Sequence, residues 1–321
     1  MDDPSRSERP DLLLAVDLAP SALDQLGALC TLHQAVTPEA RVALAERIGG
    51  RIRAIVTNGT TAIPASLIAA LPNLGIICAQ GAGYEGVDCE AARARGIVIT
   101  HGPGVNADCV ADHALALLLA ALRDVPRFDA AVRAGQWREG GTARPSAYGK
   151  RVGILGLGGI GRRIAKRCAG FDMEIRYHNR RAVPDMAWAY MPSVEELCAW
   201  ADFLFVALPG GAATRHSVGR AALAALGPEG FLVNVGRGTV VDTAALVDAL
   251  STGGLAGAAL DVIEGEPDVP AALRELPNVV LTPHIAGRSP EAMAAAIEQV
   301  LGNLTAFFAG KPVLSPIPAP T

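Results

Sequence analysis

The chain has 321 residues, 50% of them hydrophobic and 19% charged, with a formal net charge of -4. That composition excludes a disordered chain and leaves room for two domains with large buried cores. Slight acidity without a lysine-rich run excludes the electrostatic footprint of a nucleic-acid or anionic-membrane binder, so small molecules and further copies of the chain are the expected partners.

The start, MDDPSRSERP, is polar and acidic with no signal-peptide-like apolar segment after it. The longest apolar helix, near Val110 to Leu122, is short and interrupted by Asp112 and His113. A soluble, cytoplasmic protein is therefore expected. The six cysteines, Cys30, Cys78, Cys89, Cys109, Cys168 and Cys198, contain no C-x-x-C pair. They read as reduced, mostly packed thiols, with no metal site and no structural disulfide.

Periodicity predicts strands at Leu12–Val16, Leu32–Val36, Ala54–Thr57, Gly75–Ala79 and Ile97–Thr100. Between them it predicts helices at Ser21–Leu29 with a capping serine, Thr37–Ile48 with Pro38 at its first position, Pro64–Ala70 and Cys89–Ala94. Such alternation implies a parallel sheet, whose ligands bind beyond the carboxyl ends of the strands. The loop Gln80-Gly81-Ala82-Gly83 has that position.

From Asn106 to Leu122 the pattern becomes one long, almost wholly apolar helix, which must be buried between layers or against a partner. A shorter helical piece follows, then the loop 140–150, rich in Gly, Pro and small polar residues. Next comes RVGILGLGGIG, residues 151–161, on which the chain is organised. Gly156, Gly158 and Gly161 have G-x-G-x-x-G spacing after an apolar strand, Val152–Leu155, and open a helical pattern, Ile160–Phe171, that leads to a second strand, Met173–His178. The first glycine permits a tight turn, the second lets backbone approach a pyrophosphate, and the third lets helix pack on strand. Gly156, Leu157, Gly158, Gly159, Ile160 and Gly161 are the expected cradle, with the helix N-terminus facing the phosphates. Further strands at Phe203–Leu208, Phe231–Val235, Ala258–Val262 and Val279–Thr282 make a second parallel sheet. Leu208, Pro209 and Val235, at the ends of two of them, are expected to border the cofactor. The last helix, Glu291–Phe308, finds the second sheet complete and is expected to pack back on the first. The domains are therefore read as 1–100 with 288–321 and, between them, 101–287. The closing SPIPAPT reads as a loosely held end.

Three polar residues stand beside strand ends: Arg237 in VNVGRGTVVD, Glu266 in LDVIEGEP and His284 in LTPHIAG. Each alone is ordinary, an arginine in a glycine loop, a glutamate before proline, a histidine after a strand. Together, in a sheet that also carries the glycine turn, they form a candidate constellation.

These stretches, with GAGYEGVD from Gly81 and VADHALALLLA, resemble the D-isomer-specific 2-hydroxyacid dehydrogenase family. The branch they resemble holds its glyoxylate, hydroxypyruvate and hydroxyphenylpyruvate reductases. The resemblance implies two doubly wound α/β domains, a Rossmann-type cofactor domain and a flavodoxin-like substrate domain. It implies an oxidoreductase that reduces a small 2-oxo acid to the D-2-hydroxy acid, and a homodimer. It makes His284 the acid/base, Glu266 its partner and Arg237 the substrate clamp, with the N–H groups of Ala82 and Gly83 on the substrate carboxylate and Asp261 facing the nicotinamide carboxamide. The chemistry agrees with those roles. Reduction needs a proton on the carbonyl oxygen, which a histidine donates near neutral pH, and a carboxylate beside the ring favours its protonated form. A planar guanidinium holds a carboxylate and an adjacent carbonyl where lysine cannot.

NAD-preferring relatives of this fold place an acid at the end of the second strand, about 20 residues beyond the glycines. Here that position is Asn179, followed by Arg180 and Arg181. An amide and two guanidinium groups attract a 2′-phosphate that a carboxylate would repel, so NADP(H) is the expected cofactor and NAD(H) the alternative. His113, on the apolar helix, reads as a core histidine bonded to backbone. Trp137 and Arg144, before the cofactor domain, read equally as surface packing or as lining of a neighbour's cleft. A dinucleotide-sensing regulatory protein on the same fold is the competing reading, disfavoured by the complete Arg/Glu/His set.

Overall fold

The computed structural model describes residues 9–137 and 143–318. The polar start (1–8), residues 138–142, which include the first part of the glycine-rich loop, and the end of the tail (319–321) lie outside the described residues; the described part of the tail is not the loose end expected, since Ser315 is buried and bonded to Asn303 and the Ile317 N–H donates to Ile99 O at 3.0 Å. The chain forms two compact units, Met1–Asn106 with Ser289–Thr321, and Ala107–Arg288.

The first unit alternates β1 (Asp11–Leu14), α1 (Pro20–Leu29), β2 (Thr31–Gln34), α2 (Pro38–Ile48), β3 (Ile52–Asn58), α3 (Ala65–Ala69), β4 (Ile76–Gln80), α4 (Cys89–Ala94) and β5 (Val98–Thr100). Its strands form one five-stranded parallel sheet in the order β2-β1-β3-β4-β5. Successive side chains point to opposite faces, so Leu13, Ile55 and Ile77 join one core while Leu12, Leu14, Val56 and Ile76 join another. The start of α1 corrects the expected serine cap. Pro20 occupies the first helical position and Ala19 precedes it with no side-chain cap, so the fixed φ of proline begins the helix one residue before Ser21. Side-chain oxygens do cap α2 and α4, from Thr37 and Asp88.

The second unit opens with α5 (Ala107–Leu122) and α6 (Val125–Arg133). It continues through β6 (Arg151–Leu155), α7 (Gly159–Ala169), β7 (Glu174–His178), β8 (Ala189–Tyr190), α8 (Val194–Trp200), β9 (Phe203–Val206), α9 (Arg220–Leu226), β10 (Phe231–Asn234), α10 (Thr243–Ser251), β11 (Gly257–Leu260), α11 (Ala271–Arg274) and β12 (Val279–Leu281). All seven strands are parallel, in the order β12-β11-β10-β9-β6-β7-β8. The two-residue strand β8 is an edge that periodicity does not reveal. Strand order reverses between β6 and β9, and ligands of such sheets bind at the carboxyl ends beside that reversal.

The apolar helix α5 is buried within its own unit. Ala111, Ala114, Leu115 and Leu118 share one core with Val152 and Ile154 of β6, Ile164 of α7, and Phe203, Phe231 and Ala259 of the sheet. The opposite face is covered by α8, α9 and α10, through Leu197, Leu223 and Leu246. The last helix, α12 (Pro290–Phe308), is capped by Ser289 and returns to the first unit, where Val300 and Leu304 pack on Leu12, Leu14 and Ile76.

All six cysteines are free thiols. Burial pushes the thiols of Cys78, Cys168 and Cys198 up to about 12, so these three are neutral packing groups. Among the described residues no helix is long and apolar enough to cross a membrane, and no group of His, Cys, Asp and Glu has the arrangement of a metal site.

Candidate active site

The glycine turn between β6 and α7 has the geometry its spacing implies. Gly156 takes φ +100°, a conformation that side chains disfavour, and its N–H donates to His178 O at 3.0 Å. A Cβ at Gly161 would lie 2.1 Å from Gly156 O, so only glycine lets α7 start this close to β6. A Cβ at Gly158 would meet nothing within 4 Å, which leaves the space beside that backbone open to a ligand. The N–H groups of Gly158, Gly159 and Ile160 donate to no acceptor among the described residues, as the first turn of a helix dictates. Open space, free donors and a helix N-terminus suit a pyrophosphate. Leu208 abuts this turn, since its Cδ2 would lie 3.0 Å from a Cβ on Gly156. Pro209 is exposed next to it, and Val235 is buried at the end of β10.

Asn179 follows β7 directly. Its Oδ1 accepts the Leu157 N–H at 2.7 Å, which ties the end of the second strand to the glycine turn and turns the amide towards it. Arg180 and Arg181 are exposed, and their side chains make no hydrogen bond or ion pair among the described residues.

Arg237, Glu266 and His284 come from the loops after β10 and β11 and from the residues beyond β12. Buried Asn234 holds the first of these loops, donating from Nδ2 to Arg237 O and accepting the Gly236 N–H at Oδ1, at 3.0 and 3.1 Å. Gly238 presses this loop on the next: a Cβ there would lie 2.1 Å from the Ile263 carbonyl carbon. The contact explains how Arg237 comes near enough to Glu266 to act on its charge. His284 Nδ1 lies 2.5 Å from Glu266 Oε1. A carboxylate only accepts, so Nδ1 carries the proton of that bond, and the outer nitrogen, Nε2, meets no partner among the described residues. Burial works against the charged form of Glu266. The hydrogen bond and charge of His284, the Ile263 N–H and the charge of Arg237 outweigh it and hold this carboxyl below its ordinary value.

Asp261, at the end of β11, is 2% exposed. Its Oδ1 accepts from Thr282 Oγ1 at 2.7 Å and from the Ile285 N–H at 2.9 Å, while Oδ2 accepts the Ala286 N–H at 3.0 Å. Its carbonyl takes the His284 N–H at 2.8 Å. Asp261 thus holds both sides of the residue that carries the imidazole, whose backbone has φ +53°. Oδ2 retains capacity for a further donor.

Further residues join this set through contacts that no spacing announces. Glu264 forms an ion pair with Arg215 Nη2 at 2.7 Å and a hydrogen bond with His216 Nε2 at 2.9 Å, tying the loop after β9 to the loop that carries Glu266. His113 corrects an expectation: it bonds to a side chain, not to backbone, with Nε2 3.0 Å from Thr282 Oγ1. The helix passes close under the β12 end, and the Thr282 hydroxyl, which donates to Asp261, has a lone pair for the ring.

In the first unit, Ala82 and Gly83 lie in the loop after β4. Their N–H groups donate to no acceptor among the described residues. Two successive N–H groups without an acceptor in a glycine-rich turn suit a carboxylate.

Residues 115–286 match the model of the D-isomer specific 2-hydroxyacid dehydrogenase, NAD binding domain. A glyoxylate/hydroxypyruvate reductase A of Arabidopsis thaliana is 43% identical over 282 residues, 88% of this chain and 90% of that one. A 2-ketogluconate reductase of Gluconobacter oxydans is 38% identical over 312 residues, 97% of this chain and 99% of that one. Among solved structures, an NADPH-dependent glyoxylate/hydroxypyruvate reductase from Sinorhizobium meliloti, in complex with NADP and malonate, has a TM-score of 0.86 and 39% identity. It is matched over 97% of both chains.

Proposed function

The chain belongs to the D-isomer specific 2-hydroxyacid dehydrogenase family and is an NAD(P)-dependent reductase of 2-oxo acids, and on that premise we propose that it reduces glyoxylate, hydroxypyruvate or a similar small 2-oxo acid with NADP(H). The observation that carries the reading is the His284–Glu266 pair at 2.5 Å, with Nε2 of the ring left for a substrate and Arg237 close by.

The glycine turn, Leu208, Pro209 and Val235 would hold the dinucleotide, with Asn179, Arg180 and Arg181 towards its 2′-phosphate and Asp261 facing the carboxamide. The nicotinamide, when bound, supplies a hydride to the carbonyl carbon. His284 Nε2 gives its proton to the carbonyl oxygen, and Glu266 stabilises the imidazolium that precedes this transfer. Arg237 offers a planar pair of donors to the substrate carboxylate and to the oxygen on which charge develops. The Ala82 and Gly83 N–H groups take the carboxylate. The product is the D-2-hydroxy acid, and the enzyme works as a homodimer, for which the apolar face of α6 is the candidate contact. The amide of Asn179 and two uncommitted guanidinium groups support NADP(H), as does the Sinorhizobium meliloti relative, which is described as NADPH-dependent.

Mixing the protein with NADPH or NADH and a panel of glyoxylate, hydroxypyruvate, hydroxyphenylpyruvate and 2-ketogluconate, while following nicotinamide absorbance, tests the reading. NADPH oxidation with a small 2-oxo acid is expected. Tight NADPH binding without turnover of any 2-oxo acid would instead favour a dinucleotide-sensing protein.

A further inference from the structure

We propose that His101 is a positioning residue of the substrate carboxylate site: its ring fixes the orientation of the amide that receives the carboxylate. The proposal rests on the reading of Ala82 and Gly83 given above and adds a side chain that sets how well they bind.

The N–H and C=O of one trans peptide plane point in opposite directions. The Ala82 N–H shares its plane with Gly81 C=O, and the Gly83 N–H shares its plane with Ala82 C=O. Both carbonyls are tied down by two consecutive residues just beyond β5. Gly81 O accepts the Gly102 N–H at 2.6 Å, and Ala82 O lies 2.9 Å from His101 Nδ1. A carbonyl oxygen has no proton to give, so Nδ1 is the donor. With their carbonyls held towards residues 101 and 102, the two N–H groups are turned together to the other side. There they meet no acceptor among the described residues.

The loop has little freedom to turn otherwise. A Cβ on Gly102 would lie 3.2 Å from the Gly81 backbone, and one on Gly59 would lie 3.0 Å from the Gly83 backbone, so glycines allow close approach on both sides. His101 is itself held at both backbone groups: its N–H donates to Ser315 O at 3.1 Å, and its carbonyl accepts from Ser315 Oγ at 2.6 Å. Buried Asn303 of α12 fixes Ser315 in turn, accepting its N–H at 3.1 Å and donating to its Oγ at 2.9 Å. The ring stands edge-on to Tyr84, with centroids 5.3 Å apart and an interplanar angle of 86°. A chain of contacts from α12 through Ser315 and His101 thus ends on one peptide plane of the carboxylate loop.

The role predicts a loss in substrate binding and little loss in turnover. His101→Leu and His101→Phe remove the donor, and the second keeps a ring against Tyr84. His101→Asn keeps a donor at the same atomic position, since its Nδ2 is as many bonds from the backbone as the imidazole Nδ1. Both donor-less variants are expected to raise the KM of the 2-oxo acid and the dissociation constant of oxamate about tenfold, the scale of one hydrogen bond. kcat should stay within about threefold and NADPH affinity should be unchanged, while His101→Asn should restore most of the loss. Titrating the labelled full-length protein with oxamate, with amide resonances followed by NMR, should move the Ala82 and Gly83 signals in the wild type and move them less in His101→Phe.

The proposal is overturned if oxamate leaves those wild-type amides unmoved, if the donor-less variants bind oxamate as the wild type does, or if they lose kcat at constant KM. If the amides respond but no 2-oxo acid is reduced, the reductase reading fails and the role of His101 stands.

Discussion

His284 Nδ1 and Glu266 Oε1 lie 2.5 Å apart, joined across 18 residues of chain by loops that leave the same end of one sheet. The pair has a defined polarity: the inner nitrogen is committed to the carboxylate, and the outer nitrogen remains for a substrate. Glu266 is held below its ordinary value, so at neutral pH it is charged.

The first prediction concerns pH. Reduction uses protonated His284, so its rate should fall as pH rises through the apparent pKa of the pair, while oxidation of the hydroxy acid should fall as pH drops. Glu266→Gln removes the charge that favours imidazolium, so the fall in reduction should move to lower pH with much activity kept at acid pH. His284→Ala should lose roughly 100- to 10,000-fold at every pH. Profiles of kcat/KM against pH for the three proteins decide it. An unshifted profile in Glu266→Gln, with hydride transfer limiting, removes Glu266 from the mechanism.

For Arg237, lysine keeps the charge and loses the two-pronged geometry. Arg237→Lys should therefore raise KM and lower kcat, with NADPH affinity changed much less. Fluorescence titration of NADPH beside steady-state kinetics measures both, and wild-type efficiency in the variant would rule out the clamp.

Cofactor choice is expected to reside in the turn after β7. Asn179→Asp keeps an acceptor for the Leu157 N–H, which Asn179 Oδ1 holds at 2.7 Å, and adds the charge that repels a 2′-phosphate. Combined with Arg180→Ala it should abolish or reverse a preference for NADPH of about tenfold or more, the scale of one or two hydrogen bonds to a charged group. Equal kcat/KM with NADPH and NADH in the unmodified protein would refute the assignment.

Gly161→Ala tests the turn itself. The new methyl would lie 2.1 Å from Gly156 O, so α7 must move away from β6. A loss of about 1–3 kcal/mol is expected, as for overpacking in a close-packed core, seen as a lower thermal midpoint. NADPH binding should weaken with it, and an unchanged midpoint with unchanged affinity would show that the close approach does not matter.

Oligomeric state provides the last prediction. Val125, Phe128 and Val132 of α6 are 53%, 43% and 51% exposed and share one helical face, and α6 buries none of its residues within its unit. A second copy is the expected cover. Sedimentation velocity should show a dimer for the wild type and a monomer for Phe128→Asp with Val132→Asp. A monomeric wild type would leave that face without its proposed role.

Local rules make much of this protein legible in its amino-acid sequence. The glycine turn is readable because its demands are local: a φ of +100° at Gly156 disfavours side chains, and a Cβ at Gly161 would strike Gly156 O five residues back. The strands are readable as short runs that are apolar throughout, because a parallel sheet covered on both faces buries successive side chains, the helices by their period of 3.6, and Arg237, Glu266 and His284 because each stands next to a strand end. Caps are less legible, since Ser21 loses the start of α1 to Pro20 by one residue.

Two parallel sheets, the nucleotide turn and the family to which its motifs point are thus written in the order of the residues. Which groups meet is settled by the way the chain folds. The apolar surface of α5 suits either a partner or a core, and the return of β9 to β11 beside β6 makes it core. His113 meets Thr282 across 169 positions, Glu264 meets His216 across 48, and His101 meets Ala82 across 19. No spacing encodes those partners, because a hydrogen bond acts over about 3 Å in space, while the crossovers of a doubly wound sheet choose which distant loops share an end.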